Sequence, residues 1–228
     1  MTGGSELTVV LAHGAWADGS SWARVIARLH AAGQRALAAP LPLTSLADDV
    51  AALDRTIARA GGPVVLAAHA YAGAVIGETR SDKVKGLVYV AALAPDEGET
   101  VADVFYRLPP HPLAPQLAPD ADGLIWLPED AFATAFAPQA TGEDQAVLAA
   151  VQRPLSPACI GAPVGRPLWR DLPSWYLVAE EDRMIVGDNQ RFMAARMGAH
   201  TTSHFVDHAP LITRPELVST LILDAVRA

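Results

Sequence analysis

The 228-residue sequence holds one cysteine, two lysines and no apolar run long enough to cross a bilayer. A lone Cys159 cannot build a disulfide framework or a multi-cysteine zinc site, and it reads as a small buried hydrophobe. The longest mainly apolar stretch, Pro63–Gly77, has 15 residues, short of the roughly 18–20 that span a membrane. Basic side chains number 17 against 25 acidic ones, a formal net charge of −8. That balance argues against sequence-independent binding to nucleic acid or to anionic lipid. No Lys or Arg precedes Arg24, so the charged opening of a secretory signal is missing and a cytoplasmic protein is expected. No histidine and carboxylate set has metal-ligand spacing, so neither a metal nor a cofactor is expected. Alanine is what the chain has in excess, 44 residues; like the scarcity of lysine beside 15 arginines, it reads as base composition. With 51% apolar and 18% charged residues the chain is not disordered, and its length suits one large α/β domain or two small ones.

The first half alternates β-rich runs with amphipathic stretches. Leu7–Ala12, Arg35–Ala39, Val64–Ala68 and Val84–Ala91 read as strands. Between them, Ser20–Ala32, with Gly33 as C-cap, the stretch from Ser45 to about Ala60, and Tyr71–Thr79 read as helices. Ser45-Leu46-Ala47-Asp48 has the spacing of a capping box, with Asp in place of Glu. From Pro95 to Pro173 the pattern breaks, with 13 of the 18 prolines and scattered Phe and Trp. This segment is too long for a plain loop and too apolar for disorder, so a lid of short helices is expected. The alternation resumes with strand Ser174–Ala179, helix Asp188–Met197, strand Thr201–Val206 and a last helix from about Arg214 to Val226, with Pro215 in its first turn. The expected fold is α/β: a mostly parallel, doubly wound sheet of about six strands, built from residues 1–94 and 174–228, with 95–173 inserted as the lid.

The informative segment is Val64-Val65-Leu66-Ala67-Ala68-His69-Ala70-Tyr71-Ala72-Gly73. A buried strand, a tight turn of small residues and a helix form the setting of a nucleophile elbow, Gly-x-Ser-x-Gly. Ala68 and Ala72 stand where the glycines would be, and Ala70 where the serine would be. Taken alone, the segment is either such an elbow or an ordinary strand–helix turn.

Four blocks together resemble the α/β-hydrolase superfamily, in particular its small esterase and hydroxynitrile-lyase branch, which includes plant methyl-ester esterases. His13-Gly14-Ala15-Trp16 resembles the oxyanion loop and Ala68–Gly73 the elbow. Glu180-Glu181-Asp182-Arg183-Met184-Ile185 resembles the acid loop. Asp207-His208-Ala209-Pro210-Leu211, followed by Pro215, resembles the histidine loop. The order of nucleophile position, acid and base (70, 182, 208) is the one this fold imposes, and each follows a strand where open parallel sheets build their sites. The resemblance implies His208 as general base and then general acid, with Asp182 holding its tautomer. Glu180 and Glu181 are neighbouring candidates for the acid, and Asp207 is a poorer one because it adjoins His208. Backbone amides of Ala15 and Tyr71 would form the oxyanion hole. Candidate substrate contacts are Gly14, Trp16, His111 and Trp126; His13 is expected to brace its loop and His69 to pack within the elbow.

Ala70 has no oxygen, so an acyl-enzyme cannot form there. Asp182 and His208 remain in matching blocks, and the departure from a triad is one atom. This favours a deliberate serine-to-alanine substitution of a working hydrolase over a natural pseudo-enzyme that only binds. The resemblance implies that cyanohydrin lyases carry Thr and Lys where this chain has Gly14 and Ala209, so ester hydrolysis is preferred. A cofactor-free lyase, cyclase or dioxygenase is the alternative. The expected partner is a small ester-like molecule, with the protein a monomer or homodimer.

Overall fold

The computed structural model describes residues 7–228. The first six residues of the expected core segment 1–94 lie outside the described residues. Six strands, β1 (Thr8–Ala12), β2 (Ala36–Ala39), β3 (Val64–His69), β4 (Val84–Val90), β5 (Ser174–Ala179) and β6 (His200–His204), form one sheet in the order β2-β1-β3-β4-β5-β6. Every pairing is parallel. Strands β1, β3 and β5 are buried along their whole length, as their unbroken apolar runs require of strands covered on both faces. The chain steps outward from β1 to β2 and then returns to β3 on the other side of β1. That reversal opens a crevice at the carboxyl ends of β1 and β3, where ligands of such sheets bind.

Helices α1 (Ala23–Ala31), α2 (Leu46–Ala60), α3 (Ala72–Glu78), α6 (Gly187–Arg196), α7 (Pro210–Thr213) and α8 (Pro215–Arg227) flank the sheet. The helix expected over Ser20–Ala32 opens instead with a 3₁₀ turn, Gly19–Trp22, because Asp18 accepts from the Ser20 amide at 2.8 Å and tightens the entry. Ser45 caps α2 by accepting from the Asp48 amide at 3.1 Å, and Gly61 ends it in the left-handed conformation. Strand β6 stops at His204, two residues earlier than expected. There Val206 turns back to donate to the His204 carbonyl, and its own carbonyl takes the Glu181 amide.

The Pro-rich segment 95–173 carries α4 (Val101–Phe105), a π-helical turn Phe132–Phe136, α5 (Gly142–Val151) and two 3₁₀ turns. Between the helical pieces the chain is extended, with bridges Pro119–Ile125 and Ile125–Leu155. Among the described residues, no helix is long and apolar enough to cross a membrane.

Candidate active site

Three loops after β3, β5 and β6 meet at the carboxyl edge of the sheet. The turn after β3 is sharp. Ala70 has a φ of 50°, a left-handed backbone that costs an alanine roughly 1 kcal/mol. It is held there by three backbone bonds: its amide donates to Val90, and its carbonyl accepts from Gly73 and Leu93. Small residues are needed around it, since a β-carbon on Gly73 would overlap the Leu93 carbonyl oxygen. One on Gly14, in the loop after β1, would lie 3.0 Å from the Ala70 β-carbon.

Asp182, in the loop after β5, is buried and all its contacts are donors. Oδ1 accepts from the amides of Met184 (2.7 Å) and Ile185 (2.8 Å). Oδ2 accepts from Gln190 Nε2 (2.8 Å) and meets His208 Nδ1 at 2.7 Å. A carboxylate can only accept, so Nδ1 carries the proton, and the Nε2 edge of His208 is left for the cavity that the residue lines. The other acids go elsewhere. Glu180 pairs with Arg191, and Glu181 accepts from the Gln139 side chain. Asp207 accepts from the Gln139 and Ala209 amides and from Thr213 Oγ1. Asp182 alone of these four carboxylates reaches the His208 ring.

Ala70 and His208 line one cavity, open to solvent at its mouth, together with Ala15, Trp16, Tyr71, Met184 and Ile185 from the core. Phe105, Leu117, Ile125, Leu155 and Ile160 cover it from the inserted segment. The amides of Ala15 and Tyr71 donate to no other group among the described residues, which leaves both for a ligand oxygen. Trp16 and Tyr71 turn their polar heads away from the cavity. The indole Nε1 donates to the Ile125 carbonyl at 3.0 Å, and the Tyr71 hydroxyl donates to Asp49 Oδ2 at 2.7 Å. Among the described residues, His208 Nε2 and the two free amides are therefore the polar groups beside Ala70 in a largely apolar chamber.

Three expected contacts fall outside it. Trp126 is 45% exposed and bonds Asp120, because the extended chain around it alternates, with Ile125 and Leu127 pointing inward. His111 sits in a proline-bounded turn, where its Nδ1 accepts locally from the Leu113 amide. Gly14 lies behind the elbow rather than in the cavity wall; its role is to leave room.

Two buried histidines brace the site in opposite tautomers. His13 Nε2 accepts from the Leu41 amide, while His69 Nε2 donates to the His208 carbonyl at 2.7 Å. Burial holds both below the usual histidine range, His69 far below it. Sequence reasoning overlooked Asp49, a wholly buried acid that joins three chain segments. It accepts from Tyr71, from the Leu43 amide and from Cys159 Sγ at 3.7 Å. Burial raises its pKa and pushes the Cys159 thiol up to about 12, so that thiol is a core side chain with no nucleophilic character. The signal was present: Asp49 shares the inner face of α2 with Leu46, Leu53 and Ile57 at helical spacing. Gln190 was missed for the same reason, on α6 beside Met193 and Ala194. Among the described residues, no three His, Cys, Asp or Glu side chains gather as a metal-ligand set.

The sequence profile of the Alpha/beta hydrolase family matches residues 9–221, which takes in the elbow, the acid loop and the histidine loop. The chain belongs to the Alpha/beta hydrolase family. A curated relative is the alpha/beta hydrolase nvfD of Aspergillus novofumigatus (strain IBT 16806), 26% identical over 245 residues and covering 95% of each chain. Among solved structures, polyneuridine aldehyde esterase superposes with a TM-score of 0.83 at 19% identity, over 96% of this chain and 98% of that one. Tomato methylketone synthase I, complexed with 2-tridecanone, gives 0.78 at 19% identity, over 97% and 98%. At these identities the structural likeness is one of fold. Alpha/beta hydrolase membership therefore rests on the profile match.

Proposed function

We propose that the cavity takes a small to medium-sized, uncharged, largely apolar carboxylic ester, and that the site is a serine-hydrolase machinery with Ala70 in the nucleophile's place. The observation that carries this reading is the buried Asp182–His208 pair, at 2.7 Å, sharing the cavity with a left-handed elbow and two free amides. The apolar lining supports an uncharged ligand, because no Lys or Arg among the described residues faces the chamber to match a carboxylate. The esterase and the ketone-bound synthase of the same fold support a carbonyl compound as ligand. With a serine at 70, His208 Nε2 takes the hydroxyl proton as oxygen attacks the ester carbonyl, and the Ala15 and Tyr71 amides hold the oxyanion. His208 then protonates the leaving alcohol and activates the water that frees the acid. With Ala70, ligand binding and the acid–base pair remain and the covalent step is lost.

The test is Ala70→Ser assayed on p-nitrophenyl acyl esters beside the unaltered chain. The expected gain is large, since loss of the nucleophile costs on the order of 10⁶ in turnover. Asp182→Asn in the serine form is expected to lower kcat by about 10⁴, as the imidazole loses its tautomer. No gain on restoring serine sinks the ester-hydrolase reading.

A second reading is favoured by the completeness of everything except the serine. His208 would remove a proton next to a ligand carbonyl directly, with the enolate oxygen on the two amides, as a lyase or cyclase requires. Under this reading the unaltered chain exchanges the α-hydrogens of an apolar ketone with deuterated water, and His208→Ala abolishes the exchange. Exchange equal to the buffer rate removes this alternative and leaves a ligand-binding chain.

A further inference from the structure

We propose that His69 is a positioning residue for His208: its Nε2–H, donated to the His208 carbonyl oxygen, sets the histidine loop against the elbow. The proposal rests on reading His208 as the acid and base of the site. His69 ends β3 and precedes Ala70, while His208 follows β6, 139 positions later. The spacing of these two segments decides whether a group on residue 70, or a ligand held above it, reaches the imidazole. The 2.7 Å bond is a direct polar link between them.

A carbonyl oxygen can only accept, so the proton of His69 is on Nε2 and Nδ1 carries a lone pair. That lone pair is buried and has no partner among the described residues; it faces Gly14, whose β-carbon would lie 3.0 Å away. An apolar side chain filling the same space would avoid the desolvation of that atom. Packing alone therefore selects against histidine here, and the donated bond supplies the reason for it. The ring geometry agrees. The two imidazoles lie 4.7 Å apart with their planes at 49°, so His69 grips the loop backbone and leaves both nitrogens of His208 for Asp182 and the cavity. Phe136, from the π-helical turn, sets its ring edge to face against both, at 6.1 Å from His69 and 5.0 Å from His208.

Two substitutions separate holding from packing. His69→Phe keeps an aromatic ring, one atom larger, and removes the donor; His69→Gln keeps an N–H at similar reach and removes the ring. In the chain with Ala70, the readout is the NMR resonance of the His208 Nδ1–H held by Asp182. It is expected to keep its position in His69→Gln and to shift or vanish by exchange in His69→Phe. In the Ala70→Ser background, His69→Phe is expected to lower kcat by about 10²-fold with KM little changed, since a misplacement of about 1 Å costs that much. His69→Gln is expected to retain most of the rate. The reverse ranking, with Phe tolerated and Gln not, identifies a packing role and overturns the proposal. So does an unmoved His208 resonance in His69→Phe. If circular dichroism shows that His69→Phe does not fold, His69→Asn, whose amide is too short to span the bond, takes its place with the same expectation. Failure of Ala70→Ser to hydrolyse esters sinks the ester-hydrolase reading alone, because the resonance comparison needs no turnover.

Discussion

Left-handed backbone outside glycine is confined to four residues among those described, and three of them follow the neighbouring strands β1, β3 and β4 at the carboxyl edge of the sheet. Trp16 (φ 56°) lies in the loop after β1, while Ala70 (50°) and Ala91 (46°) directly follow β3 and β4. The elbow and its neighbour are locked together, as Ala70 donates to Val90 and accepts from Leu93. Gly73 is the point at which this lock tolerates no added atom, since the obstructing Leu93 carbonyl belongs to backbone and cannot swing aside. Gly73→Ala is expected to lose about 1–3 kcal/mol of stability, read as a lowered urea midpoint at unchanged m-value. Residues whose type announces their chemistry were legible in the sequence at this scale: His208 and Asp182 by their blocks, Ala70 by what it lacks. His69 and Asp49 were less so. A hydrogen bond to a backbone carbonyl 139 residues away leaves no trace in local spacing, and an acid on an apolar helix face resembles an ordinary helix start.

At the scale of elements, the sheet and its flanking helices followed from periodicity, because each strand's burial is a property of its own sequence. The inserted segment did not. Its short pieces have little amphipathic pattern of their own, and they take their place from bonds to the core. One such bond is the buried Trp16 indole on the Ile125 carbonyl, which ties the loop bearing the Ala15 amide to the cavity's outer wall. That carbonyl also accepts from Leu155, so Trp16→Phe leaves it partnered and is expected to cost only about 0.5–1.5 kcal/mol overall. The effect should be local. Amide hydrogen exchange is expected to quicken around residues 119–127 and 155 while β1 and β3 stay protected. Uniform quickening across the sheet would mean that the bond supports global stability instead. Trp126 faces solvent because an aromatic in an extended segment points in or out by parity, and parity is set by where Ile125 docks.

For the molecule as a whole, buried ionisable groups set how stability responds to pH. His13 and His69 are held neutral by burial, with folded pKa values below the ordinary 6.5. Below that value the unfolded chain binds protons that the folded chain refuses, so stability is lost as pH falls through this window. The slope is about 1.4 kcal/mol per pH unit for each histidine. Asp49 and Asp207 act in the opposite sense, since burial raises both above the ordinary carboxylate value and their contribution fades as pH rises through the raised range. At lower pH, the carboxylates of Asp96, Glu99 and Glu180, held down by Arg170, Arg196 and Arg191, lose their contribution as they protonate. The urea midpoint is expected to fall between about pH 7.5 and pH 5.5, and His13→Gln is expected to lessen that fall. A fall as steep in His13→Gln as in the unaltered chain would mean that His13 ionises in the folded chain.

The left-handed alanine has an evolutionary consequence. Four alanine codons each become serine codons by a change of their first base, so one nucleotide separates this gene from one encoding the proposed triad. The backbone at Ala70 already has the left-handed conformation, which costs alanine energy and would need no rebuilding to present a serine. A library mutagenised at random and selected for growth on an apolar ester is expected to recover the serine codon at position 70 ahead of any multi-site solution.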